Sequence, residues 1–131
     1  MRVFLDTNVL IAAFATRGLC EDVVRVVLAE HELIVGTHVL IEFERILIDK
    51  LGLTPQKAAT IRSFLKSESQ VVEPVRPASW PESDPDDQWI VAAALEGGAE
   101  ILVTGDRDLL MAADESPFPI VSPREFWNQL R

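Results

Sequence analysis

The chain has 131 residues, 48% hydrophobic and 25% charged, which supplies enough apolar material for one core and too little chain for two. Twelve Lys and Arg stand against twenty-one Asp and Glu, a formal net charge of −9. That balance argues against a passive nucleic-acid-binding module built on a basic patch, but it suits a site where clustered carboxylates hold divalent cations that then meet phosphate.

In chain order, Val3-Phe4-Leu5 is a short apolar run that stops at Asp6 and reads as a first strand buried on both faces. The apolar run Val9 to Ala15 that follows is too short to span a bilayer. Asp6 interrupts the place where a signal peptide would need its apolar stretch, so the expected location is cytoplasmic with no membrane association. Cys20 is the only cysteine; with no Cys or His partner at zinc spacing it reads as a small half-buried apolar residue. Val23, Val24, Val27 and Leu28 have helical spacing within a segment from about Glu21 to Glu30. Leu33-Ile34-Val35, closed by Gly36, is a second strand, and Val39, Leu40, Phe43, Ile46 and Leu47 line one face of a helix with Thr37 as its expected N-cap.

Thr54-Pro55 starts a helix running to about Ser67, with Thr as cap and Pro in the first turn. Gln70 to Val75 reads as a third, more exposed strand. Four prolines between Pro74 and Pro85 favour an extended loop. Asp84-Pro85 opens a helix that stops at Gly97-Gly98, Ile101-Leu102-Val103 is a fourth strand, and Phe118 to Val121 a fifth. Ser122-Pro123-Arg124-Glu125 is a capping box for a C-terminal helix. The alternation predicts an α/β protein with a central, mainly parallel sheet of about five short strands flanked by helices.

In such sheets ligands bind beyond the carboxyl ends of the strands, and two strands deliver an aspartate there: Asp6 after the first and Asp106 after the fourth. Each can also be read as a helix cap or an acidic first turn. Asp84, Asp86 and Asp87 form the densest acidic cluster, in which Asp84 with Pro85 makes a good helix start. Asp86 and Asp87 both share a face with part of the apolar stripe, and spacing does not choose between them. Glu42 sits at the margin of its helix's apolar stripe, where a solvated helix edge is the plainer reading. Several carboxylates on separate elements together suggest a hard cation held by oxygen ligands.

These blocks, taken in order, carry a resemblance: Val3 to Leu10, Leu40 to Leu47, Asp84-Pro85-Asp86-Asp87 leading into Ala92-Ala93-Ala94, and Leu102 to Leu110. Over essentially its whole length the chain resembles PIN-domain proteins, in particular the toxin components of prokaryotic toxin-antitoxin pairs. The resemblance implies a single PIN domain over residues 1–131, a three-layer sandwich, and an acidic site of Asp6, Glu42, Asp87 and Asp106, with Asp108 as a further metal ligand. It favours Asp87 over Asp86 and casts Asn8 and Thr104 as the polar residues that orient the carboxylates. The activity implied is endoribonuclease hydrolysis of single-stranded RNA with Mg²⁺ or Mn²⁺, in which the ion activates water and stabilises the leaving oxygen. A small antitoxin partner and a homodimer are implied as well.

Other chemistries are poorly equipped. His31 and His38, the only histidines, have no Ser or Cys nucleophile paired with them, which speaks against acyl transfer. A Mg²⁺-dependent phosphatase of the haloacid-dehalogenase type needs a second aspartate two positions after the first, and Asn8 stands there. A catalytically weak PIN-domain protein acting mainly through a protein partner is the alternative from another class. Arg107, between the acids Asp106 and Asp108, and Arg45, on the Glu42 helix, could touch phosphates, but each is expected to pair with local carboxylates. Which residues bind substrate is unknown from sequence.

Overall fold

The computed structural model describes residues 1–81 and 84–130. Five strands, β1 (Arg2–Leu5), β2 (Glu32–Gly36), β3 (Ser69–Val72), β4 (Ile101–Val103) and β5 (Ile120–Val121), form one sheet in the order β3-β2-β1-β4-β5. Every neighbouring pair is parallel. Val3, Phe4, Leu5, Leu33, Ile34, Val35 and the whole of β4 are buried, as expected of central strands covered by helices on both faces. At about 1.5–3 kcal/mol for each large apolar side chain removed from water, these strands anchor the core.

The connections are α1 (Thr7–Ala15), α2 (Leu19–Glu30), α3 (Thr37–Asp49), α4 (Pro55–Ser67), α5 (Pro85–Glu96), α6 (Arg107–Met111) and the C-terminal α7 (Pro123–Gln129), with a 3-10 turn at Ala113–Glu115. The strand order moves one way from β1 to β3, then returns across the sheet to β4 and β5. Right-handed crossovers therefore carry α1 to α4 over one face and α5 and α6 over the other. Consistent with this, α1 packs on α2 and α3, and α3 packs on α4. The direction of winding reverses between β1 and β4, which makes that gap the topological switch point where α/β sheets open a crevice.

Local chemistry explains most boundaries. Thr54 Oγ1 accepts from Lys57 N at 3.2 Å with Pro55 in the first turn, Asp84 caps α5, and Ser122 with Glu125 forms the capping box of α7. Five boundaries differ from the sequence reading. Val9 to Ala15, taken only as an apolar run, is most of α1, capped by Asp6. The second helix starts at Leu19, two residues before Glu21. Thr37 is not a cap: Gly36 occupies the N-cap position without a side-chain bond, and Thr37 is already helical. The close approach of α5 explains the residue, since a Cβ on Gly36 would lie 2.9 Å from that of Ala93.

β3 runs from Ser69 to Val72 rather than from Gln70 to Val75, because its ladder with β2 ends where Val72 meets Gly36. It is half-buried, as its sequence implied. β5 keeps only Ile120 and Val121 of the expected stretch, pairing with Leu102 and Val103 of a three-residue β4; Phe118 is buried outside the ladder. Between Glu73 and Pro81 the chain has no helix or strand, in line with its prolines. It is tied to α5 through Ala78 N to Gln88 O (3.0 Å) and Gln88 Nε2 to Pro81 O (2.8 Å). Residues 82 and 83 of the expected loop lie outside the described residues. Cys20 is half-buried and unpaired.

Candidate functional site

Since β1 and β4 are paired, with Leu5 opposite Val103, the residues that follow them meet at one edge. Asp6 N donates to Val103 O at 3.0 Å, continuing the ladder by one bond. The Asp6 side chain then turns into the crevice. Its Oδ1 accepts from Thr7 N at 2.7 Å, which caps α1, and its Oδ2 accepts from Thr104 Oγ1 at 2.7 Å and from Asn8 Nδ2 at 3.1 Å. Here the carboxylate that caps α1 also lines the crevice.

Thr104 is fully buried and joins the two strand ends, since its Oγ1 also accepts from Asp106 N at 2.9 Å. Asn8 Oδ1 accepts from Gly105 N at 2.8 Å, which pins the loop after β4 to α1. Asp106 in turn caps α6, accepting from Asp108 N at 2.9 Å. Thus Asn8 and Thr104 each bridge the residues that follow β1 and those that follow β4.

Asp87 comes from the opposite side, in the first turn of α5. It is 3% exposed, whereas Asp86 points outward and its Oδ1 lies 3.5 Å from His38 Nε2. Asp84 caps the helix, accepting from Asp86 N at 2.9 Å. One oxygen of Asp87, Oδ2, is buried without a hydrogen-bond partner, a costly condition for a carboxylate. Oxygens of Asp87, Asp106 and Asp108 come within 4.8 Å of one another. Glu42, in the second turn of α3, is half-buried and lines the same cleft.

The crowding acts on protonation. Burial pushes the Asp6 carboxyl above the usual range, against the hydrogen bonds from Thr104 and Thr7, and the charges of Asp106 and Glu42 push the same way. Burial again leads for Asp87, followed by the charges of Asp106 and Asp84, and its pKa is pushed up to about 7. Carboxylates held together without a cation resist ionisation; a hard divalent ion reverses that by taking oxygen ligands from several of them. The orphaned Asp87 Oδ2 and the all-oxygen donor set fit such an ion.

The cleft around these groups has a volume of about 520 Å³ and gathers Asp6, Asn8, Glu42, Asp87 and Asp106, with Asp84 and Asp86 at its wall. Asp108 is not part of the lining, although its carboxylate approaches Asp87 and Asp106. Of the two arginines, Arg45 lies 3.9 Å from Asp49, as expected, while Arg107 is exposed and makes no ion pair among the described residues. A basic lining residue that the sequence reading did not single out is Lys50, the C-cap of α3, eight positions after Glu42; its helical register with Glu42 was the available signal. His31 ends α2 and is no part of the cleft.

A family model described as PIN domain matches residues 2–108. No curated protein matches the sequence. Solved structures with the same fold include VapBC2 from Rickettsia felis bound to a DNA fragment from their promoter, at 12% identity, 93% coverage of this chain and 98% of that chain, with a TM-score of 0.67. VapBC-1 from nontypeable Haemophilus influenzae aligns at 15% identity over 95% of this chain and 99% of that one, with a TM-score of 0.65. VapC20 from Mycobacterium tuberculosis, described as a Sarcin-Ricin loop cleaving toxin, aligns at 17% identity over 84% and 94%, with a TM-score of 0.61.

Proposed function

We propose, from the premise that the chain belongs to the PIN-domain family, that it is a metal-dependent endoribonuclease hydrolysing single-stranded RNA, and the toxin of a toxin-antitoxin pair. The observation that carries this reading is the convergence of Asp6, Glu42, Asp87 and Asp106 on one cleft with the buried Asp87 Oδ2 left unpartnered. Asp6, Glu42, Asp87 and Asp106 would hold Mg²⁺ or Mn²⁺, with Asp108 as a fifth acid. The ion supplies Lewis acidity, acidifying water at neutral pH and offsetting the charge of the phosphate.

The chain's own residues do the positioning. Thr104 and Asn8 direct two hydrogen bonds onto Asp6 Oδ2, which leaves that carboxylate one orientation and favours its charged form. Asp87, whose pKa is pushed up to about 7, would hold the ion as a carboxylate and so would have to be free of its proton. Asp106 keeps its place through the α6 cap and the Thr104 contact. A phosphatase reading is disfavoured on the same geometry, since Asn8, in the place of its general acid, is spent on Asp6 and Gly105.

Residues 1–131 act in this reading as one PIN domain in the cytoplasm, and no helix among the described residues is long and apolar enough to cross a membrane. Similarity to VapBC complexes supports a small antitoxin partner, for which the acidic cleft favours a basic segment, and we include a homodimer in the proposal. The test is incubation of purified protein with mixed structured and unstructured RNA in Mn²⁺ and in EDTA. Cleavage of the unstructured fraction, lost in EDTA and in the Asp6→Asn, Glu42→Gln and Asp106→Asn variants, is the expected result. Cleavage that survives EDTA overturns the metal mechanism. Growth arrest that persists in the Asp6→Asn, Asp106→Asn double variant points instead to action through a protein partner.

A further inference from the structure

The cleft has a second half that the carboxylates do not use. Besides the carboxylates, its lining takes in Ile11, Ala12 and Ala15 of α1, Ile46 of α3, and Lys50. Glu42, Ile46 and Lys50 succeed one another at four-residue spacing and so share one face of α3. Eight residues of helix carry the chain about 12 Å from Glu42 to Lys50. Lys50 is the one basic side chain among the residues lining the cleft, it is exposed, and its ammonium makes no ion pair among the described residues. The nearest carboxylate in sequence, Asp49, faces Arg45 instead.

We propose that Lys50 is a substrate-binding residue that takes a backbone phosphate of single-stranded RNA, one or two nucleotides away from the phosphate held at the carboxylates. The inference rests on the ribonuclease reading and deepens it. Three physical points support it. In a protein of net charge −9, a strand leaving the acidic end is repelled unless a cation meets its next phosphates. The distance along α3 exceeds the span of a single phosphate and suits an extended strand. The aliphatic side chains of the lining give non-polar contact, without stacking, to bases that a duplex would keep hidden. A Lys near a helix C-terminus also interacts with the helix dipole, so the test separates binding from stability.

Lys50→Ala, Lys50→Arg and, as a control of equal charge change on α4, Lys57→Ala are compared with wild type. Affinity for a fluorescent single-stranded RNA 12-mer is read by anisotropy in Ca²⁺ at several salt concentrations, and cleavage of the 12-mer and of a dinucleotide is read in Mn²⁺. The expected result for Lys50→Ala is about a tenfold loss of affinity and a salt slope smaller by about 0.7, the value of one single-strand phosphate contact. The loss in kcat/KM on the 12-mer falls mainly on KM, shrinks on the dinucleotide, and is restored by Lys50→Arg. Equal affinity and salt slope for Lys50→Ala and wild type, or an equal loss in Lys57→Ala, overturns the proposal while leaving the nuclease reading intact. Lys50-dependent binding without any cleavage in Mn²⁺ supports the subsite and overturns the nuclease reading alone. Absence of both binding and cleavage in wild type overturns the two together.

Discussion

Asp87→Asn should make the metal-free protein more stable, and more so as pH rises. The folded-state pKa of Asp87 is pushed up to about 7 from an ordinary 3.8 by burial and by the charges of Asp106 and Asp84. Below about pH 4 the carboxyl is protonated whether the chain is folded or not, and it costs nothing. Between pH 4 and 7 the unfolded chain releases the proton while the folded one keeps it, so stability falls with pH; above 7 the full penalty is present. About three pK units at 1.36 kcal/mol each would set an upper bound of about 4 kcal/mol. The cleft is open to water, which screens the neighbouring charges, so about 2 kcal/mol is the expected gain at pH 8.

Asn retains the shape and lacks the charge, and a gain of that size should raise Tm by roughly 6–10 °C for a domain of this length. Urea and thermal unfolding in EDTA at pH 4 and pH 8 measure it, with the variant-minus-wild-type difference isolating this one group. A variant no more stable than wild type at pH 8, or one with the same gain at both pH values, refutes the reasoning.

Saturating Mn²⁺ should reverse that order, stabilising wild type by about 2.7 kcal/mol at a hundredfold excess over Kd and Asp87→Asn far less, as read by thermal shift. Thr104→Val removes the donor to Asp6 Oδ2 and the acceptor for Asp106 N; the expected cost is about 1–3 kcal/mol in urea unfolding. Because that hydroxyl favours the charged form of Asp6, the deficit should be larger at pH 8 than at pH 4. Gly97→Ala brings a Cβ within 2.6 Å of Ile34 Cγ2 and 3.1 Å of Ala93 O, and overpacking of about 1–3 kcal/mol should appear as a lower urea midpoint, with the carboxylates of the cleft untouched.

Much of this architecture was legible because local signals agree with one another. The β1 and β4 runs are short, wholly apolar and end in aspartate, the caps at Thr54, Asp84 and Ser122 carry their own side-chain chemistry, and helices between strands dictate parallel pairing. Tertiary neighbours set two of the misread features: a Cβ at Gly36 would meet that of Ala93 on α5, and β3 stops where its partner β2 ends. Such limits belong to neighbours distant in the chain, which periodicity does not register.

The site divides in the same way. That Asp6 and Asp106 lie at strand ends is a property of the sequence alone. That they share Thr104, that Asp87 is buried with an unpartnered oxygen while Asp86 is exposed, and that Lys50 lines the same cleft depend on the strand order β3-β2-β1-β4-β5. Sequence determined which residues carry charge and which segments are apolar enough to be strands or helix faces, because those are properties of side chains and their spacing. Only the tertiary structure decided which charges share one crevice, because that depends on a chain reversal across the sheet that joins residues nearly a hundred positions apart.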